Sequence, residues 1–303
     1  MEPRLELRPV QTTHVHPPPN LARVSPFLAA SIYSPSPDGV DLNLVVLLHG
    51  LGDTAAPFAG LAKSLNLPQT AVLSLQGPER IPLLEEEAYG WWDSFDEMGE
   101  LIVNPNPAAA VHLLVKLLEH LTAPVSSSST STPRTSASTG CGWHPSQIHL
   151  FGYGQGGTCA GELALAWAKA RLSAAAVPPP SDNKENAGAA RAHLGSLVAV
   201  SAPLLSYPTP ASDRRLNRMP VLLVYRPREE RNVDVASWVR SFVPRCDALR
   251  LTRDGEGMLR GRDEWMPVMR FWSEVLGRKS ALELSGEVYE VTGGAPSAPG
   301  ASR

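Results

Sequence analysis

Cysteine, long apolar runs and any surplus of one charge are all scarce in this chain. Its 303 residues include three cysteines, Cys141, Cys159 and Cys246. That odd number has neither the paired spacing of a zinc knuckle nor that of a disulfide framework, so reduced thiols are expected. No stretch reaches the roughly 18 apolar residues that a membrane-crossing helix needs. Residues 1–6 carry acidic side chains and lack the apolar stretch of a signal peptide. Basic and acidic residues number 27 and 30, which leaves no electrostatic footprint for nucleic acid or an anionic membrane. Together these absences predict a soluble, unsecreted protein in a cytoplasmic or nuclear setting. One further scarcity bears on chemistry: the eight histidines stand at positions 14, 16, 49, 112, 120, 144, 149 and 193, and none follows His193.

The remaining composition, 43% hydrophobic over 303 residues, supports one sizeable core. Strand-like apolar runs occur at residues 42–48, 71–75, 148–151, 197–200 and 221–225, with helical patterns between them. That alternation predicts a mostly parallel, doubly wound α/β sheet flanked by helices. The plainest helix begins at Pro107 behind Asn106 as N-cap, with Val111, Leu114, Val115, Leu118 and Leu121 on one face and His112 and His120 off it. A Ser/Thr-rich tract at 123–140 and a polar, Pro-rich one at 178–190 have too little apolar surface to offset ordering entropy, and both read as disordered insertions. The expected organisation is a disordered lead-in at 1–24, one domain at 25–292 and a disordered tail at 293–303, with residues 286–291 as a short edge strand.

The glycines mark where chemistry belongs. Gly152, Tyr153, Gly154, Gln155, Gly156 and Gly157 lie between the strand pattern ending at Phe151 and an Ala-rich helical pattern from Thr158. A turn of this kind forces its central residue to positive φ and lifts that side chain into a cleft, which is the arrangement of a nucleophile elbow. The centre here is Gly154, so the strain is relieved and the nucleophile is missing. Upstream, an apolar strand pattern leads into His49, Gly50, Leu51, Gly52, Asp53 and Thr54, and Gly90, Trp91, Trp92 and Asp93 follow. On these three blocks the chain resembles the acyl-protein thioesterase and phospholipase/carboxylesterase family of the α/β-hydrolases, over about residues 42–277. The resemblance implies an α/β-hydrolase fold and an oxyanion loop whose donors are the backbone N–H groups of Leu51 and Gln155. It further implies a cleft near His49, Gly50, Tyr153, Trp91 and Trp92, and it calls for no cofactor and no metal.

The same resemblance implies a triad in the chain order Ser, Asp, His, and this sequence departs from it at each position. Gly154 stands for the serine. Glu230, by offset from the strand at 221–225, stands for the aspartate, with Glu229 nearly as well placed. Arg260, after Gly257, Met258 and Leu259, stands for the histidine, and a guanidinium that stays protonated cannot serve as general base. Cys159, more than a turn into the helix, is expected to be a small buried thiol. The expected protein is therefore a catalytically inactive family member that binds an acyl or carboxylate ligand, or a protein partner, since backbone donors do not depend on the lost side chains. An active ester or thioester hydrolase with a rearranged site, and a structural subunit recognised through surface loops, are the alternatives. Arg260 is also expected to pair with Glu229 or Glu230, because an unpaired charge in a partly closed cleft is costly.

Overall fold

The apolar runs form the middle of one seven-stranded sheet. In the computed structural model, which describes residues 6–9, 15–82, 84–125, 140–175, 193–205, 219–243, 245–284 and 289–292, eleven strands occur among the described residues. They are β1 (Glu6–Pro9), β2 (Ile32–Ser34), β3 (Asn43–Leu48), β4 (Thr70–Leu75), β5 (Glu79–Arg80), β6 (Tyr89–Gly90), β7 (Ile148–Tyr153), β8 (Ser196–Val200), β9 (Val221–Tyr225), β10 (Cys246–Arg250) and β11 (Tyr289–Thr292). The main sheet has the order β10-β9-β8-β7-β3-β4-β2. All its neighbours run parallel except β2, which is antiparallel to β4. This is the mostly parallel α/β sheet flanked by helices that is expected from the sequence.

Strands β3, β4, β8 and β9 are buried along their whole length, as parallel strands covered on both faces must be, and this is why they read as continuous apolar runs. Alternate residues serve two cores. Leu44, Val46 and Leu48 of β3 face one that includes Leu114, Leu118, Leu163 and Trp167, from helices Ala108–Thr122 and Gln155–Ala175. Val45 and Leu47 face the other, with Phe58 from helix Ala55–Leu65 and Val268 and Trp272 from helix Gly261–Val275.

Several expectations need correction. The helix expected to open at Pro107 runs over Ala108–Thr122 with Pro107 itself at the cap, and the Asn106 carboxamide accepts the Ala108 N–H one step further in. The edge strand expected at 286–291 is found as β11, but it pairs antiparallel with β1 in a separate two-stranded ribbon, not on the main sheet. The lead-in at 1–24 is not a disordered segment where it is described. Its residues 15–24 are docked: His16 stacks on Trp143 at 3.8 Å, its N–H donates to Asp41, and Leu21 is buried. Residues 126–139 and 176–192, which hold most of the expected insertions, and the tail at 293–303 lie outside the described residues. Strands β2 and β10 escape a sequence reading because they are short and half exposed, so neither has an unbroken apolar signature.

Candidate functional site

At the C-terminal end of β7 the chain turns through Gly154, at φ +52°, directly into the 21-residue helix Gln155–Ala175. The Gly154 N–H is anchored to the Val200 carbonyl of the neighbouring strand at 2.9 Å. Close approach of strand and helix explains Gly156, where an added Cβ would lie 2.3 Å from the Leu48 carbonyl oxygen. Gly154 is different. A Cβ there would meet only the Gly50 Cα, at 3.9 Å, so the central position has room for a side chain and carries none.

The two expected oxyanion donors belong to the segments that meet here: Leu51 follows Gly50, the neighbour of Gly154 in space, and Gln155 follows Gly154 directly. Among the described residues, neither the Leu51 nor the Gln155 backbone N–H donates to a backbone or side-chain acceptor. The Gln155 N–H also opens a long helix, whose dipole favours negative charge at that end. The Gln155 side chain is occupied: its carbonyl oxygen accepts the Trp91 N–H at 3.0 Å and its amide donates to the Ser94 hydroxyl at 2.6 Å.

The loop is braced from beneath by His49, which is fully buried. Its Nδ1 lies 2.7 Å from the Gly50 carbonyl oxygen and its Nε2 accepts the Gly77 N–H at 2.9 Å. These contacts assign the proton to Nδ1, and burial holds the imidazole pKa below its ordinary value. With both nitrogens engaged in shaping the loop, His49 abstracts no proton from the cleft. Nor does it line the cleft. Trp91 is likewise corrected from cleft wall to core: it is buried, and its indole N–H donates to the His49 carbonyl at 2.8 Å. Trp92 is half-buried. The Tyr153 ring lies over Gly50, so close that a Cβ on that glycine would come within 2.7 Å of it, and burial raises its phenol pKa. Cys159 is buried, and burial pushes its thiol pKa well up, which suits a packing role.

On the base side the expected pairing of Arg260 with Glu229 or Glu230 does not form. Glu230 turns outward to Arg250 at 3.1 Å. Glu229 accepts the Ser201 hydroxyl at 2.6 Å and the Arg226 N–H at 2.9 Å. The Arg260 guanidinium donates to the Glu256 carbonyl at 3.0 Å. The buried ion pair is built by other residues. Arg226, one position past β9, makes two parallel hydrogen bonds to Glu264, of 3.1 and 2.9 Å, and reaches the Met258 and Arg253 carbonyls at 3.2 and 3.3 Å. Glu264 in turn accepts the Arg260 N–H at 2.7 Å, and the hydrogen bond from Arg226 leads the causes that hold its carboxyl pKa below the usual range.

Of the carboxylates considered, Glu229 is therefore the one tied to the strand end beside the elbow, because Ser201 directly follows Val200, the acceptor of Gly154. Sequence reasoning missed Arg226, Glu264 and Ser201. A signal for Glu264 existed: it falls with Val268, Phe271 and Trp272 on the buried face of its helix, and a carboxylate on an apolar stripe requires a partner. A groove of about 360 Å³ elsewhere, between β10 and helix Gly261–Val275, includes Leu222, Arg245 and Phe271 in its lining and none of the elbow residues.

Comparison with known proteins bears on this geometry. The phospholipase/carboxylesterase family model matches residues 35–177. "Uncharacterized hydrolase UM10204" of Mycosarcoma maydis is 35% identical over 266 residues, covering 86% of each chain. The chain belongs to the phospholipase/carboxylesterase family. Two solved structures share its fold at 18% identity, each aligned over 82% of this chain and 99% of its own: esterase PE8, with a TM-score of 0.54, and acyl-protein thioesterase 2 of Zea mays, with 0.53. Among the described residues no helix is long and apolar enough to cross a membrane. This member of the family thus brings the Gly154 turn, the loop that follows β3 and the start of the helix Gln155–Ala175 together at one end of the sheet.

Proposed function

We propose that this family member holds an acyl or carboxylate group at the Leu51 and Gln155 N–H donors without cleaving it. The observation that carries the reading is the empty centre of the elbow: Gly154 has space beside it and no side chain, and a Cβ there would meet, among the described residues, only the Gly50 Cα and no imidazole. Hydrolysis by the family route needs an activated hydroxyl with a base in hydrogen-bond reach. Arg260, read as standing at the base position, carries a guanidinium that only donates and is bound to a carbonyl, and the Arg226 guanidinium is bound to Glu264. Backbone donors keep their function, since they are fixed by the fold and not by the missing side chains.

The test pairs a fluorophosphonate probe with a titration of decanoate followed through the amide resonances of Leu51 and Gln155. We expect no covalent labelling and saturable shifts of those two amides. Stoichiometric labelling together with robust ester turnover would overturn the reading, as would decanoate shifts confined to other amides. A faint rate decides nothing, because an oxyanion hole and binding alone supply about 10³- to 10⁴-fold over water.

One observation favours a second reading, an active hydrolase with a rearranged site. Ser201 is a non-glycine residue at φ +53° on the strand end next to the elbow, hydrogen-bonded to Glu229 at 2.6 Å. Glu229 also caps the Arg226 N–H, which accounts for the contact structurally. If Ser201 were a displaced nucleophile, fluorophosphonate would label it and Ser201→Ala would abolish the labelling.

A further inference from the structure

The segment from Glu79 to Val103 departs from the charge balance of the rest of the chain. It holds eight acidic residues and one basic one, against a net charge of −3 for all 303 residues. Among the described residues, none of those eight carboxylates lies in an ion pair. Within the segment, residues 94–102 fold back on themselves: Phe95 bridges Leu101, Ile102 donates to the Ser94 carbonyl, and Asp96 donates to the Glu100 carbonyl. The Asp96 carboxylate fastens the tip by accepting the Met98 and Glu100 N–H groups, both at 2.9 Å.

This hairpin presents apolar side chains to solvent, with Met98, Leu101 and Val103 at 87%, 66% and 89% exposure. Three large apolar groups on one fastened hairpin are more than scattered surface residues would supply, and a thioether adapts to varied partners. The hairpin is also held to the elbow. Ser94 at its base accepts the Gln155 amide at 2.6 Å, and Tyr89, a few residues earlier, exchanges backbone hydrogen bonds with Gly52 and Asp53 of the oxyanion loop.

We propose that the 94–103 hairpin is a docking surface for a basic polypeptide segment bearing apolar side chains. Charge complementarity selects this occupant. An anionic lipid surface would be repelled by Asp93, Asp96, Glu97 and Glu100, whereas Lys or Arg side chains would find those carboxylates free of cationic partners while apolar neighbours cover Met98 and Leu101. Docking here brings the partner beside the oxyanion donors, so the partner and an acyl ligand meet at one end of the sheet. The surface stands independently of whether the cleft is silent or active.

The experiment is fluorescence anisotropy of a short labelled peptide alternating Lys and Leu, titrated with the full chain. Glu97→Lys with Glu100→Lys should weaken binding at least about tenfold, the effect of placing like charges across an interface. Met98→Ser with Leu101→Ser should weaken it severalfold, and added salt should weaken the wild type. A control carrying Glu119→Lys and Asp263→Lys, with the same change in net charge, should keep near wild-type affinity. All variants are compared at matched melting temperature and circular dichroism. Equal loss in the control, no loss in the hairpin variants, or preferential binding of phosphatidylserine-containing vesicles would each overturn the proposal.

Discussion

Restoring a serine at the elbow tests the site more sharply than removing anything from it. In Gly154→Ser the new Cβ meets nothing nearer than the Gly50 Cα at 3.9 Å, so overpacking contributes no cost. The backbone is held at φ +52° by the strand on one side and the helix on the other. A non-glycine residue in that region costs about 1–3 kcal/mol. Reduced freedom of the unfolded chain returns about 0.4–1 kcal/mol. The net effect is a destabilisation of about 1 kcal/mol, which for a domain of this size lowers the melting temperature by about 2–4 °C. The hydroxyl should remain inert. His49 has both nitrogens engaged, the Arg226 guanidinium is bound to Glu264, and Arg260 supplies only donors. Slow turnover should therefore require Arg260→His as well, and the carboxylate to orient the new imidazole should be sought at Glu229 before Glu230. The assays are a thermal melt, hydrolysis of a short p-nitrophenyl ester, and fluorophosphonate labelling, on the single and double variants. Strong hydrolysis from Gly154→Ser alone would show that an unrecognised base already faces the elbow, and an unchanged or raised melting temperature would refute the strain argument.

Three further outcomes are expected. Arg226→Met should cost about 3–5 kcal/mol, because it leaves the Glu264 carboxylate buried without its partner, whereas Arg226→Met with Glu264→Leu should recover most of that loss in urea melts. Because the folded pKa of Glu264 is depressed, its contribution is present above the ordinary carboxylate pKa and is lost as pH falls through the lower, folded value; the stability gap between wild type and Glu264→Gln should accordingly shrink in urea melts taken at successively lower acidic pH. His16→Ala removes a ring stacked on Trp143 at 3.8 Å and should lower stability by about 1 kcal/mol, with a matching change in tryptophan emission as the docked lead-in loosens.

The legible part of this protein was the part whose physics is local. Strands β3, β4, β7, β8 and β9 are covered on both faces, so each is a largely apolar run, broken only by buried polar residues such as Ser74 and His149. The elbow was legible because steric limits at Gly152 and Gly156 leave only glycine as an option. What escaped was decided by partners distant in sequence. Arg226 meets Glu264 across 38 residues, and Ser201 meets Glu229 across 28; no spacing rule connects either pair. The choice between Glu229 and Glu230 depended on the turn Pro227–Glu229, a single 3₁₀ turn that rotates one carboxylate toward Ser201 and leaves the next facing Arg250. An offset count from the end of β9 cannot see that rotation.

The altered base side is organised, and this constrains how the site came to be silent under our proposal. The Arg260 guanidinium is exposed and, among the described residues, donates only to the Glu256 carbonyl, so it is not what holds this side together. Instead the Arg226–Glu264 pair carries two hydrogen bonds, Glu264 takes a third from the Arg260 N–H, and Arg226 closes two carbonyls of the loop that ends in Arg260. The pair ties the loop down even though the buried Arg226 Nε has no hydrogen-bond partner among the described residues, and removing either member costs more than the pair as a whole contributes. Under our proposal the loop that ends in Arg260 is thus pinned by the Arg226–Glu264 pair. It follows that substitutions at Gly154 and Arg260 alone restore the atoms of a triad without the freedom of the base loop to align them, so any recovered turnover should rise further when Arg226→Met and Glu264→Leu are added to Gly154→Ser with Arg260→His. A quadruple variant no faster than the double would show that the ion pair is neutral toward alignment and that the limit lies at the acid position.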